Sequence, residues 1–307
     1  MNDTHESVAA VVVTFNSADL IVDLVASLQP GMAGVPWQLI FADNASTDDT
    51  VATLARIAPD ATVVEMGRNA GYAAGINAAV AAARPHTAVL VLNPDVRLDA
   101  GCVPELLRAL RQPGVGIAVP RLLDAHAVLI DSMRRAPTCL RALGDALIGA
   151  RRAGRYPALG EMVRDSRLYE HERDTDWAEG STQLISAHCW QTTGPWDESY
   201  FLYSEEAEFD LRAADSGFTT RYVPTAQATH LEGDSGSSPA LWALLVINRV
   251  KLFRRRNGML RALPFWAITL AREASRALLG KSTSLAAVRA LLSPARLRET
   301  PGPHSVR

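Results

Sequence analysis

Apolar residues recur along the first 120 positions in two alternating rhythms. Continuous apolar runs read as buried strands at Val8 to Phe15, Trp37 to Ala42, Ala61 to Met66, Thr87 to Leu92 and Val115 to Val119. Between them, apolar positions fall at helical spacing. Leu20, Ile21, Leu24, Val25 and Leu28 mark the first helix, which Pro30, Gly31 and Gly34 end; Val51, Leu54, Ala55 and Ile57 mark the second. Ala73 to Ala83 and Pro104 to Leu110 supply two more. Strand and helix in strict alternation, joined by short links, predict an α/β fold with a parallel sheet and right-handed crossovers.

The rhythm loosens from Arg134 to Asp176, where Arg134, Arg135, Arg141, Arg151, Arg152 and Arg155 cluster among Gly and Pro. This segment reads as a loop-and-helix excursion over the active edge of the sheet. Order returns at Trp177 to Ile185. Glu205 to Ser216 has helical spacing with Ser204 as its N-cap. Phe218 to Val223 and Ala226 to Thr229 read as short strands, and residues 240–295 as helical.

Composition narrows the class. With 307 residues, 48% of them hydrophobic, and a net charge of −2, the chain is a globular protein of one large α/β domain, with or without a small appendage. It lacks the charge of a nucleic-acid binder. Cys102, Cys139 and Cys189 have no metal-site spacing and point to a reducing compartment. The polar start, Met1 to Glu6, predicts no signal peptide. Ala262 to Ala271, interrupted by Pro264, is too short to span a bilayer. The expectation is a cytoplasmic protein.

Charge is nevertheless uneven: from Arg249 to Arg307, thirteen Lys or Arg face only Glu273 and Glu299. Arg254-Arg255-Arg256, followed by Leu260, Leu263, Phe265, Trp266 and Ile268, suits a helix lying on an anionic membrane surface. A helix packed on the domain with its basic face solvated suits the same residues.

Candidate chemistry gathers at the ends of the expected strands, where open α/β sheets bind ligands. Thr14-Phe15-Asn16-Ser17 fits either a nucleotide with its phosphates or a plain N-cap. In Asp43-Asn44-Ala45-Ser46-Thr47-Asp48-Asp49, Ser46 and Asp49 fit a capping pattern, which leaves Asp43 and Asn44 without a local role. A carboxylate in that place can accept the imide N–H of uracil or thymine. Arg68-Asn69-Ala70-Gly71-Tyr72-Ala73-Ala74-Gly75-Ile76-Asn77 combines a cation, amides and glycines, but is not a G-x-G-x-x-G fingerprint, which disfavours a nicotinamide oxidoreductase. Leu92-Asn93-Pro94-Asp95 is turn chemistry, or oxygen ligands for a hard cation holding a diphosphate. Glu205, Glu206 and Glu208 open a helix, where the dipole favours acids and where a carboxylate is also well placed as a general base. His230, near Glu232, suits a surface histidine or a metal ligand.

In this order, Val12-Val13-Thr14-Phe15-Asn16, Ala42 to Asp48, Asn69 to Asn77, Leu92 to Asp95, Trp177-Ala178-Glu179-Gly180-Ser181, Trp196 to Glu206 and Thr229-His230-Leu231-Glu232-Gly233 resemble the motifs of family 2 glycosyltransferases of the GT-A fold. The resemblance covers about residues 8–258 and falls in the branch of bacterial rhamnosyltransferases and galactofuranosyltransferases. It implies a GT-A catalytic domain over 8–239, with a nucleotide-sugar half over 8–120 and an acceptor half over 121–239, and a basic helical region over 240–307.

The resemblance also implies roles. Asp43 reads the pyrimidine; Thr14, Asn16, Arg68 and Asn77 surround the nucleotide and phosphates, with Asn44, Asn69, Gly71, Tyr72, Asn93 and Asp95 in the same nucleotide-sugar site. Asp95 and His230 hold a divalent cation, Mg²⁺ or Mn²⁺, with Asn93 a weaker contributor. Trp177, Gly180 and Tyr203 shape the acceptor side. Glu206 is the catalytic base, with Glu205 hard to separate from it. Two positions depart from the family pattern: Asn93 stands where an Asp is usual, and Glu206 where Asp often follows Glu. The implied reaction is an inverting transfer from dTDP-rhamnose, or a UDP-sugar, to a hydroxyl acceptor in a cell-surface polysaccharide, glycolipid or natural-product glycoside. An ordinary Glu, with a pKa of ~4.3, is ionised at neutral pH and needs only position. The competing reading is a nucleotide-sugar-binding protein of the same fold with weak or no catalysis, which Asn93 favours and Asp95, Glu206 and His230 oppose.

Overall fold

The computed structural model describes residues 6–231, 238–298 and 301–306. In chain order its first half comprises β1 (Val8–Thr14), α1 (Ala18–Met32), β2 (Trp37–Asp43), α2 (Thr50–Ile57), β3 (Thr62–Glu65), α3 (Tyr72–Ala82), β4 (Ala88–Leu92), β5 (Val96–Leu98), α4 (Cys102–Leu110) and β6 (Val115–Leu123). The second half adds β7 (Met133–Arg134), α5 (Cys139–Ile148), α6 (Ala150–Ala153), β8 (Arg173–Thr175), β9 (Trp177–Ala178), β10 (Thr182–Ser186), α7 (Ala187–Thr193), α8 (Glu205–Asp215), β11 (Thr219–His230), α9 (Pro239–Leu278), α10 (Ser282–Leu291) and α11 (Pro294–Arg298).

Nine strands form one sheet in the order β3-β2-β1-β4-β10-β6-β11-β5, with β8 added against β11. The apolar runs of β1 and β4 are buried along their whole length, as strands covered on both faces must be. One face packs on α1 and α4 through Leu24, Leu28 and Leu106; the other packs on α3 and α8 through Ile76 and Phe209.

The expected parallel arrangement holds for β1 to β4, but β10 runs antiparallel between β4 and β6. Three further expectations change. Helix α1 continues through Pro30 to Met32, since a proline in the last turn forfeits a single hydrogen bond; Gly31 lies so close to Leu98 that a β-carbon there would sit 2.6 Å from the Leu98 Cβ. The two short strands after α8 are one, β11, with an irregular register between Val223 and Gln227 around Pro224. Three-residue β5, absent from the apolar pattern, pairs antiparallel with the end of β11.

The C-terminal region folds back on itself. Gly258 breaks α9 with φ 77°, and the two arms pack as a hairpin: Phe253 stacks on Phe265 at 4.0 Å, and the Trp242 indole N–H donates to Glu273 Oε2 at 2.9 Å. Much of the basic excess is consumed inside the molecule. Arg249 pairs with Asp145 and Glu161, Arg255 with Asp197, Arg256 with Asp215 and Arg272 with Glu273. Phe265 is buried and the Trp266 indole donates to the Leu291 carbonyl. The tail is therefore packed on the domain, with Arg255 and Arg256 of the triple arginine engaged by Asp197 and Asp215. Among the described residues no helix is long and apolar enough to cross a membrane.

Candidate active site

The loops after β1 and β2 are laced together. Thr14 and Asp43 are register partners, and the Thr14 hydroxyl donates to Asp43 Oδ1 at 2.8 Å. Asp43 also accepts from the backbone N–H and hydroxyl of Ser46 at 2.9 and 2.6 Å, so it has the local role that the capping pattern left unassigned. Ser46 caps no helix. Asp48 does, accepting from Ala18 at the start of α1 and from Thr50 at the start of α2. Asn16, in the left-handed region with φ 51°, accepts from the Thr47 N–H at 2.8 Å.

Asn44 and Asn77 are both engaged with neighbouring loops. Asn44 donates to the Gly71 carbonyl and accepts from the Ala70 N–H. Asn77 donates to the Trp196 carbonyl and Glu198, and accepts from the Trp196 N–H. Gly71 has φ 95°, and any β-carbon there would meet the Phe201 carbonyl oxygen at 2.5 Å. Asn69 Oδ1 receives the Gly71 N–H, while Arg68 is exposed and lines a depression of about 400 Å³ beside α3.

The pairing of β5 with β11 sets His230 opposite Val96, which places its Nε2 3.3 Å from Asp95 Oδ2. The insertion of β10 brings the loop before it alongside: the Asn93 N–H donates to the Ser181 carbonyl, and Glu179 Oε1 lies 3.2 Å from His230 Nδ1. The residue-by-residue resemblance gave Glu179 no role, although it sat inside a recognised motif; a carboxylate between Trp177 and Gly180 was the available signal. Burial disfavours a charged His230, but Asp95 and Glu179 outweigh it and push the imidazole up to about 10. Burial raises the Glu179 carboxyl, but His230, with Arg134 and Ser181, outweighs it and leaves the group below its ordinary range. The Tyr72 hydroxyl donates to Asn93 Oδ1 at 2.7 Å. Desolvation, with Glu205, Glu206, Asp95 and Glu179 nearby, holds the Tyr72 phenol well above its ordinary range.

These donors suit a divalent cation completed by diphosphate oxygens, with Asp95 and His230 on one side. Metal ligation requires a neutral imidazole, so His230 would have to surrender a proton. Among the described residues, no three His, Cys, Asp or Glu side chains form a cage of protein ligands. Glu232, expected beside His230, lies outside the described residues.

Helix α8 completes the site. Tyr203 and Ser204 precede it with φ 69° and 75°, and the Ser204 side chain makes no capping bond, contrary to expectation. Glu205 is buried; Glu206 faces a cavity of about 400 Å³ whose wall includes Arg134, Trp177, Glu179, Tyr203 and Trp242. Gly180 permits this position, since a β-carbon there would lie 2.9 Å from the Glu206 Cβ. Trp177 donates its indole N–H to the Arg135 carbonyl, with Arg134 over its ring at 5.8 Å. Burial raises the Glu206 carboxyl to about 7, with Glu179 adding to the shift. Burial and then Glu206 raise Glu205 well above the usual range. The sequence reading expects an ordinary, ionised glutamate; burial by the surrounding protein instead shifts both acids upward. Asp210, one α8 residue missed by the sequence reading, accepts from the Ala178 N–H and Gln183 and fixes the loop that carries Glu179 and Gly180.

Known proteins share this framework. The profile of the family described as Glycosyl transferase family 2 matches residues 9–135. An N-acetylglucosaminyl-diphospho-decaprenol L-rhamnosyltransferase of Mycobacterium tuberculosis is 30% identical over 247 residues, spanning 76% of this chain and 80% of the relative. The low-salt glycan biosynthesis hexosyltransferase Agl10 of Haloferax volcanii is 25% identical over 228 residues, spanning 73% and 67% respectively. Among solved structures, the mannosyltransferase PcManGT from Pyrobaculum calidifontis, in complex with GDP-Man and Mn²⁺, superposes with a TM-score of 0.56 at 18% identity, covering 96% of this chain and 76% of that one. That likeness concerns the fold.

Proposed function

The chain belongs to glycosyl transferase family 2, as an enzyme of its rhamnosyltransferase-like branch with a GT-A fold, and on that premise we propose that it transfers a sugar, with inversion, from a pyrimidine nucleotide-sugar to a hydroxyl of a lipid-linked precursor of a cell-surface glycan. The donor is dTDP-rhamnose in the first instance and a UDP-sugar in the second. The observation that carries this reading is Glu206, a carboxyl raised to about 7 in the wall of a cavity that also includes Glu179, itself 3.2 Å from His230.

In this mechanism Thr14, Asn16, Asp43, Arg68 and Asn69 surround the nucleotide, and Asp43 accepts the imide N–H of the base. Asn44 and Asn77 hold the loops that do so. Asp95 and His230, with Asn93 contributing less, would hold the divalent cation, Mg²⁺ or Mn²⁺, which supplies charge neutralisation for the departing diphosphate. Trp177, Gly180 and Tyr203 orient the acceptor, and the aromatic rings exclude water from the attacking hydroxyl. Glu206 takes the hydroxyl proton as the oxygen attacks the anomeric carbon opposite the diphosphate, so that the carbon inverts. A lipid-linked acceptor places the work at a membrane surface, with the protein peripheral on its cytoplasmic face.

Nucleotide release and sugar transfer, measured with dTDP-rhamnose, UDP-sugars and GDP-mannose and a short-chain polyprenyl-diphosphate-linked N-acetylglucosamine, test the reading. Turnover is expected with a pyrimidine donor, suppressed by chelator and restored by Mn²⁺ or Mg²⁺, with Asp43→Ala eroding the preference for dTDP over ADP. Equal affinity for ADP would remove the role of Asp43. Full activity in excess EDTA would move donor stabilisation onto arginine and backbone groups.

A further inference from the structure

Helix α5 is amphipathic in an unusual sense. Its inner face is small or charged: Ala142 and Gly144 are buried, and Asp145, also buried, pairs with Arg249. Its outer face carries Leu140, Leu143, Leu147 and Ile148 into solvent, with Leu147 74% exposed. Leu140, Leu143 and Leu147 share one stripe at helical spacing. The stripe meets a second apolar group at the bend of the α9 hairpin, since the Cys139 sulfur lies 3.8 Å from the Arg261 carbonyl. There Met259, Leu260 and Leu263 are exposed, Leu260 by 84%.

Within the two segments that carry these residues the charges have nearly a single sign, and the acids that reach them from outside, Asp176, Asp197 and Asp215, do so as partners of Arg141, Arg255 and Arg256. Over residues 139–157 and 254–271 the only acid is Asp145, which is buried and paired. Arg151, Arg152, Arg155 and Arg261 are exposed there, and none makes an ion pair among the described residues. Leucines flanked by exposed arginines in excess over acids match the interface of an anionic bilayer, where apolar side chains enter the acyl boundary and cations meet headgroups. Position agrees with composition. Asp145 and Ala150, on α5 and α6, belong to the wall of the cavity that holds Glu206. A bilayer against the outer face of α5 would therefore lie at the rim of the acceptor cavity.

We propose that the outer face of α5 and the bend of the α9 hairpin form one docking surface for anionic lipid, which seats the acceptor cavity against the membrane. This rests on the lipid-linked acceptor proposed above and identifies the surface that would meet the lipid. It keeps Leu260 and Leu263 from the tail reading drawn from sequence, adds the outer face of α5, and sets aside Arg255, Arg256 and Phe265, which are engaged within the fold.

The test is co-flotation of the full chain with vesicles of phosphatidylglycerol and phosphatidylcholine, and with phosphatidylcholine alone. Binding is expected only with the anionic vesicles, weakening with salt. Leu147→Ser with Leu260→Ser should lower the partition coefficient by roughly tenfold or more. Leu278→Ser with Leu279→Ser, equally exposed leucines at the far end of the hairpin, should leave it unchanged. Arg151→Glu with Arg152→Glu gives a second, charge-based variant should the leucine pair fail to fold. Absence of flotation at every composition, or equal loss in the Leu278/Leu279 control, overturns the proposal, as does salt-insensitive binding to neutral vesicles. Nucleotide release from the donor in detergent-free buffer is read in parallel: wild-type turnover without flotation rejects the surface alone, and flotation without turnover rejects the enzymatic reading alone.

Discussion

At the scale of single residues, Glu206 poses the central conflict, because the position that suits a base is one that resists charge. Its folded pKa of about 7 lies above the ~4.3 of an unfolded chain. Between those values the folded state binds the extra proton, so folding stability falls as pH rises through the interval. Above it, the ionised carboxylate is a standing cost. Glu206→Gln should therefore lower transfer by about 10²–10⁴, leave donor affinity little changed, and raise stability above neutral pH relative to the wild type. Paired rate and melting measurements across pH check both halves. Wild-type transfer should climb through pH of about 7; a flat profile, or an active Glu206→Gln beside an inactive Glu205→Gln, would move the base. Sequence made Glu206 legible through its family match, but the raised pKa depends on Gly180, Glu179 and the cavity wall. None of those is a neighbour in the chain.

At the scale of elements, the entry to α8 depends on a helix that follows it in sequence by more than one full strand. Tyr203 and Ser204 sit consecutively in the left-handed region, a conformation that costs a non-glycine residue roughly 1–3 kcal/mol. Asn248, buried on α9, donates to both the Leu202 and Tyr203 carbonyls, at 2.9 and 3.1 Å. Lys251 donates to the Ser199 carbonyl, and Arg255 reaches Asp197 and Ser199 in the same loop. The C-terminal region is thus a clamp on the turn that aims Glu206. Asn248→Ala should lose about 1–3 kcal/mol of stability and reduce kcat more than donor affinity, read by denaturant melts and donor titration; unchanged kcat would show that the turn holds its shape alone. The helix itself was legible from its spacing. Its start was misread because Ser before three acids is the pattern of a capped helix, and only a distant amide reveals that the turn is held from outside.

At the scale of the whole molecule, the local apolar pattern identified β1 to β4 and β6 individually but not who stands beside whom. Short β5 carries too few residues to register, yet it is the strand that sets Asp95 against His230. The β10 run was read as ordered, without its place between β4 and β6; strand order is a property of the assembled sheet. That placement has a consequence for the making of the protein. When β4 leaves the ribosome, its far edge is a buried-type run, Ala-Val-Leu-Val-Leu, with no neighbour, and the strand that will cover it lies some ninety residues downstream. At roughly 5–20 residues per second, synthesis leaves that edge open for about 5–20 s, long enough for the pairing with other chains that bare edges invite. Nascent chains arrested after residue 130 should be held by chaperones or aggregate, while chains that have exposed β10 and α8 should be protected from both. Ribosome-bound chains of graded length, assayed by chaperone crosslinking, would show the change falling at β10 rather than at β6. The strand that completes the sheet would then also mark the moment at which the nascent chain can leave its chaperone.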